Sequence, residues 1–316
     1  MLNIKPSEVG NQVSFKYLVG AVTPRPIALV STVSNEGVNN LSPFSFFNVF
    51  GSNPPVLVFS PSRRGKDNTL KDTYYNLKET KECVVHIVNY GMVEQMNYSS
   101  AEFEADVDEY KKSGFTPIDS EMVKAKRVKE SPVHFECKVL DILEIGGKAG
   151  SGNLVVCEVI SIHINEAILN DNGGIDPFKL DAIGRNGGNW YTRANGNAMF
   201  EVPKPDGVGI GYDNLPPLVL DSEHLSANDI GLLIGHDHIP TIEESISYFN
   251  DLKVKEFNKV NFEFYERNGD YFKMMELMSD GDVNFRLFER IVKVALSKRD
   301  VMFAWNVLVY SQKDRK

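Results

Sequence analysis

Three segments of this chain combine side chains that can hold a ligand as well as pack. The first, Asn39-Asn40-Leu41-Ser42-Pro43-Phe44-Ser45-Phe46-Phe47-Asn48, alternates small hydroxyls and amides with large aromatics. A flat heteroaromatic ring carrying polar oxygens and a phosphorylated tail, such as a flavin, needs that mixture of apolar faces and donors. The second, Arg63-Arg64-Gly65-Lys66-Asp67-Asn68 followed by Lys71-Asp72-Thr73, puts positive charge where a helix is expected to start. The first amides of a helix lack partners and lie at its positive end, so one phosphate suits the place; a long nucleic-acid backbone does not. The third is Ile175-Asp176-Pro177 and then Gly184-Arg185-Asn186-Gly187-Gly188-Asn189-Trp190-Tyr191. Its glycines allow close backbone approach, and Arg185, Trp190 and Tyr191 are large enough to cover a ring. Each segment also has an ordinary reading: a core strand, a solvated basic turn, a tight turn with packed aromatics. Taken singly, none decides.

The elements that must position these residues are mostly strands. Runs at 27–33, 56–59, 83–88, 133–139 and 154–163 are rich in Val and Ile, and Gly, Pro and Asn separate them. Their composition and lengths of four to ten residues fit strands. Gly37 and the Lys148-Ala149-Gly150-Ser151-Gly152 stretch supply hairpin reversals. Two helices are expected between strands, one over 69–80 capped by Asn68 or Thr69 and one over 91–100. Many short strands with few helices indicate a barrel or sandwich. After Pro203 and Pro205 the apolar spacing turns helical. Thr241 and Glu244 form a capping box, and Phe285, Phe288, Ile291, Val292 and Ala295 trace one helical face ending near Ser297. The reading is therefore a mainly β domain over 1–205 and a mostly α-helical extension over 206–316. Residues 301–310 read equally as strand or helix.

The chain has 316 residues and a net charge of -9, which disfavours a dominant grip on nucleic acid. No run of about 18 apolar residues and no signal-peptide core is present, so a cytoplasmic protein without a membrane span is expected. Cys83, Cys137 and Cys157 lie in apolar runs without a CxxC spacing and read as buried free thiols. His224, His236 and His238 lack a completing ligand cluster, so no metal is expected. The glycines of 207–211 lack the spacing of a dinucleotide fingerprint.

Read in order, the motifs resemble the flavin reductase-like family. They comprise Thr23-Pro24-Arg25-Pro26-Ile27-Ala28-Leu29-Val30-Ser31-Thr32, Gly37, the segment from Asn40 to Phe47, Asn53-Pro54-Pro55, Lys71-Asp72-Thr73 and Asn97-Tyr98-Ser99-Ser100. Phe103-Glu104-Ala105-Asp106-Val107-Asp108-Glu109-Tyr110 and the third segment complete the set, which spans about 20–203. The resemblance implies an FMN-binding split β-barrel of Greek-key type with short helices, in a homodimer with one FMN per subunit. On matched positions it implies that Arg25, Ser31, Thr32, Asn40, Ser42, Phe44, Ser45 and Phe46 border the ribityl chain and ring. Arg64, Lys71 and Thr73 would hold the phosphate, and Ser99, Ser100, Arg185 and Tyr191 would close the pocket. Two positions depart from the family's pattern: His86 stands where relatives often carry Asn, and Asn186 replaces a common hydrophobic residue. The expected activity is hydride transfer from NADH or NADPH to FMN. Electrons would pass onward to free flavin, a redox partner protein, a monooxygenase or oxygen. No catalytic side chain is required, because the cofactor carries the reactivity. The competing expectation is an FMN-binding electron carrier or flavin sensor without reductase turnover.

Overall fold

The β-type runs become strands of one curled antiparallel sheet. In this computed structural model, which describes residues 1–205, 207–278 and 285–313, the strands run in chain order. They are β1 (Arg25–Pro26), β2 (Ala28–Val33), β3 (Asn39–Phe44), β4 (Phe47–Ser52), β5 (Pro55–Phe59) and β6 (Glu82–Ile87). Then follow β7 (Pro117–Ile118), β8 (Arg127–Val128), β9 (Val133–Glu144), β10 (Asn153–Ile164), β11 (Ile183–Arg185) and β12 (Tyr191–Arg193). Seven of them form the main sheet in the order β3-β2-β6-β9-β10-β5-β4. The two edges, β3 and β4, are consecutive in the chain, joined only by Ser45 and Phe46. A sheet whose edges share a two-residue corner must curl, and Phe44 of β3 meets Phe59 of β5 across the curl with ring centroids 5.4 Å apart. This is the split barrel with short helices that the family resemblance implied.

All six residues of β2 are buried, because the strand is covered on both faces. Ala28 and Val30 face an interior shared with Leu57, Phe59, Cys83, Val85, Cys137 and Cys157. Leu29 points the other way, with Leu41, Met92, Met96 and Tyr110, under the helices packed outside. Each large apolar side chain so buried contributes roughly 1.5–3 kcal/mol relative to exposure. Among the helices of this part are α1 (Asn11–Ala21), α2 (Asp72–Thr80), α3 (Val93–Tyr98), α4 (Glu109–Ser113) and α5 (Pro177–Leu180).

Local chemistry explains where boundaries moved. The helix expected from 69 begins at Asp72, because Asp67 accepts from both the amide and the hydroxyl of Thr69 and holds a turn instead. Helix α1 was not expected; none of its residues is buried, so it has no core-facing stripe to read. The aromatic-hydroxyl segment is two strands rather than one, broken at the corner.

The chain divides into two compact units, Met1–Phe200 and Glu201–Lys316. Asp206, at the expected boundary, lies outside the described residues, as do 279–284 and 314–316. The second unit is helical: α6 (Pro217–Leu220), α7 (Ala227–Ile234), α8 (Ile242–Tyr248), α9 (Lys259–Asn268), α10 (Tyr271–Glu276), α11 (Phe285–Ser297) and α12 (Val301–Tyr310). The Thr241–Glu244 capping box forms at the head of α8. The ambiguous 301–310 run is helix. Seven of its ten residues are buried, Trp305 completely, so it is apolar all round and carries no amphipathic period.

Candidate functional site

Beside α2 a small cleft is lined by Asn40, Ser42, Arg64, Lys71, Asp72, Thr73, Ser99, Ser100, Ala101, Glu102, Phe103 and Glu109. Four stretches far apart in sequence supply it: strand β3, the loop into α2, the end of α3 with the loop after it, and the first turn of α4. The two segments singled out first in the sequence thus meet. Lys71 Nζ donates to Ser42 Oγ at 3.2 Å, and the Thr73 hydroxyl donates to Asn40 Oδ1 at 2.7 Å. A neutral hydroxyl is a weak partner for a half-buried ammonium, whereas an anion is a strong one. Burial lowers the Lys71 pKa below the ordinary lysine value, with Arg64 acting the same way and Glu102, Glu109 and Asp72 opposing.

Behind the cleft wall a polar chain fixes these side chains. Asn40 Oδ1 also accepts from the Thr32 hydroxyl at 3.3 Å, and Asn76 Nδ2 donates to Thr32 Oγ1 at 3.0 Å. Asn40 Nδ2 donates to Glu109 Oε1 at 2.7 Å, and the Leu41 amide donates to Glu109 Oε2 at 3.1 Å. Glu109 is 7% exposed, and burial pushes its carboxyl up to about 7 even though those donors favour the charged form. Arg64 is held by the Thr69 hydroxyl at 3.0 Å and the Leu70 carbonyl at 2.8 Å, and faces Glu102 at 3.5 Å. Lys71 at the N-cap of α2 makes no side-chain cap bond, and the start of this helix suits an anion.

The sequence-derived residues divide into groups. Asn40, Ser42, Arg64, Lys71, Thr73, Ser99 and Ser100 line the cleft; Thr32 stands one bond behind it. Ser99 and Ser100 give their hydroxyl protons to the carbonyls of Met96 and Asn97, closing the end of α3. Phe44 belongs to the barrel core, with Lys71 Nζ 5.2 Å from its ring centroid. Ser31 points elsewhere: its hydroxyl donates to the Lys126 carbonyl at 2.6 Å and pins the loop before β8.

Arg25, Ser45 and Phe46 form a second group at the barrel corner. Arg25 Nη1 donates to the carbonyls of Val19 and Val22, both at 2.6 Å, and Nη2 donates to Asn186 O at 3.3 Å. Its Nε reaches Ser45 Oγ at 3.5 Å, and its guanidinium carbon lies 5.9 Å from the centroid of Phe46. Arg185 and Tyr191 belong to the small sheet β1-β11-β12, where the guanidinium carbon sits 4.5 Å from the Tyr191 centroid. A separate cleft of about 350 Å³, lined by Tyr90, Val93, Glu94, Asn97, Ile183, Asn189, Tyr191 and Arg193, opens there.

Both unusual positions are explained by packing. His86 is fully buried, bonded through Nδ1 to Leu29 O at 2.8 Å while Nε2 accepts from the Val128 amide at 3.0 Å. Asn186 bridges the hydroxyls of Thr23 and Thr192. Glu109, Asp72 and Glu102 are cleft residues that sequence reasoning did not single out as site residues. Glu109 lies 69 positions from Asn40, so only the fold reveals the pairing.

The donor set, one ammonium, one guanidinium, several hydroxyls and a helix start, fits a phosphate, and the adjoining β3 and corner aromatics fit a ring. Comparisons with known proteins give the family. The model of the flavin reductase like domain family matches residues 20–178, half of the chain. An uncharacterized protein of Aquifex aeolicus is 40% identical over 195 residues, covering 62% of this chain and 97% of that one. Nitrilotriacetate monooxygenase component B from Bacillus cereus superposes with a TM-score of 0.59 at 33% identity, over 64% of this chain and 98% of its own. The 2-nitrobenzoate 2-nitroreductase NbaA of Pseudomonas fluorescens superposes with a TM-score of 0.57 at 27% identity, over 64% and 96%.

Proposed function

From the premise that this chain belongs to the flavin reductase-like family, we propose that its first unit binds FMN and catalyses reduction of that flavin by NADH or NADPH. The observation that carries the reading is the meeting of Lys71 with Ser42 and of Thr73 with Asn40 beside the Arg64 guanidinium. Lys71, Arg64, Thr73 and the first amides of α2 would hold the phosphate, while Ser42, Asn40 and the serines at the end of α3 orient the chain that follows. Phe44 and Phe46 offer the apolar faces. Thr32 and Asn76 act from behind, keeping the Asn40 amide in one orientation. Bound FMN would supply a hydride-accepting atom and pass electrons onward, so the protein's part is to bind, orient and exclude water. The likeness to component B of nitrilotriacetate monooxygenase supports a flavin-consuming partner as one outlet.

A homodimer is part of the proposal. Phe46, Val49 and Phe50 at the β4 edge, Phe15, Leu18 and Val22 on and just after α1, and Trp190 are all exposed, an apolar surface that a second copy would cover. Sedimentation of the purified protein at micromolar concentration checks it; a monomer with FMN bound would remove the dimer and leave the cofactor assignment standing. The test of the cofactor is titration of FMN followed by flavin fluorescence, together with oxidation of NADH and NADPH. Saturable binding with nicotinamide oxidation supports the reductase. Binding without oxidation selects the electron carrier or sensor, and no retention of FMN overturns both.

A further inference from the structure

The cleft holds two cationic side chains, Arg64 and Lys71, and three acidic ones, Asp72, Glu102 and Glu109. With every group ionised, a site proposed to receive a phosphate would carry an excess of negative charge before the phosphate arrived. We propose that Glu109 is the proton-linked counter-charge of this cradle, so that loading the phosphate of FMN is accompanied by proton uptake and affinity falls as the pH rises through neutrality. The inference rests on the FMN reading above and concerns how that site is regulated.

The geometry singles out Glu109 among the three acids. Glu102 is exposed and faces Arg64 at 3.5 Å, so it has both water and a cation. Asp72 occupies the first turn of α2, where the helix dipole favours a negative charge. Glu109 is buried, and its two oxygens meet neutral donors, Asn40 Nδ2 and the amides of Leu41 and of Glu109 itself. Uncharged donors compensate a buried carboxylate less than a cation does, so this acid yields first when an anion enters.

The surroundings contain few competing titrations. From α2 come Lys71 and Asp72; from the loops come Arg64 and Glu102. On its own helix, Asp108 caps the Tyr110 amide and accepts from Asn39 Nδ2 at 3.4 Å. Strand β3 presents the neutral Asn40, and α3 presents the neutral Gln95, bonded to Ser113 O and Gly114 O. No histidine lines the cleft among the described residues. The Glu109 carboxyl, held up to about 7 by burial, is therefore the group whose titration near neutral pH the arriving dianion shifts further. A neutral carboxyl still accepts the Leu41 amide, so protonation leaves the anchor in place.

The experiment is FMN binding by the full-length protein at pH 6.5, 7.5 and 8.5, with riboflavin as the probe lacking phosphate. Calorimetry at pH 7.5 in two buffers of different ionisation enthalpy accompanies it. The expected result is a Kd for FMN weakened about tenfold between pH 6.5 and 8.5 with net proton uptake, a flat riboflavin profile, and a flattened FMN profile in Glu109→Gln. FMN binding that is pH-independent without proton uptake, or a slope that survives in Glu109→Gln, overturns the inference while leaving the FMN site intact. If Glu109→Gln does not fold, the two-buffer measurement on the unaltered protein decides. Failure to retain FMN at every pH overturns the FMN reading itself, and this inference with it.

Discussion

Lys71 is the residue whose removal separates binding from stability. A charge-assisted hydrogen bond to phosphate contributes about 1.5–3 kcal/mol. Lys71→Ala is therefore expected to weaken FMN binding about tenfold to a hundredfold and to change riboflavin binding much less, measured by fluorescence titration. Its melting temperature should change little, because the ammonium bonds the Ser42 hydroxyl and lies near the Phe44 ring while burial disfavours its charge. His86 belongs to a different class. Burial lowers its pKa from 6.5 to about 3, so the folded protein keeps it neutral while the unfolded chain takes up a proton below about 6.5. Stability is thus lost as the pH falls from about 6.5 toward 3, on the order of 1 kcal/mol per unit from this group. His86→Asn should flatten that acid limb in urea titrations at pH 4–7, and an unchanged limb would locate the acid sensitivity elsewhere. Glu109 has the opposite sign. Its folded pKa of about 7 exceeds the ordinary 4.5, so the folded state loses ground as the pH rises between those values. The melting temperature of Glu109→Gln minus that of the unaltered protein should increase from pH 5 to pH 8. At this scale the sequence was informative where side-chain type alone marks a role. Clustered hydroxyls and cations marked the segments that hold Ser42, Lys71 and Thr73, and the family resemblance supplied their expected roles. It was uninformative where direction matters: Ser31 and Thr32 are adjacent, yet one hydroxyl meets the Lys126 carbonyl and the other meets Asn40.

Between elements, glycine sets how closely backbones approach. A Cβ on Gly184 would stand 2.7 Å from Pro24 Cβ, and one on Gly187 would stand 3.1 Å from Gly20 Cα. Those contacts press β11 onto β1 and the 186–190 turn onto α1, the junction that Arg25 spans by binding carbonyls from both sides. Gly184→Ala is expected to cost about 1–3 kcal/mol in chemical denaturation, more than Gly187→Ala, since the closer contact must give more. A cost below about 0.5 kcal/mol would mean that the junction yields freely. Strands β2, β5, β6, β9 and β10 were legible as Val- and Ile-rich runs, whereas β1, β7, β8, β11 and β12 are too short to show a pattern; the cap at Thr241 was legible because its partner Glu244 is three residues away. Helix α1 was not, having apolar residues on an exposed surface rather than along a buried stripe. The corner at Ser45 and Phe46 was hidden inside a continuous aromatic run, since nothing local distinguishes a strand from two strands that part company.

Across the whole molecule, the two units carry separate cores. One is built on the barrel and its outer helices; the other gathers Phe262, Met274, Ile291, Phe303 and Trp305. Residues 1–200 alone are therefore expected to melt in one cooperative transition, and a broad non-cooperative melt would show that this core needs more of the chain. The split barrel also has a free edge at β3, outward of its pairing with β2, and there the Leu41 amide finds Glu109 instead of another strand. An isotope label on that single nitrogen becomes a gauge of the cleft. Its proton resonance and solvent-exchange rate follow the ionisation of one carboxylate, so the site can be read by NMR in the absence of any flavin.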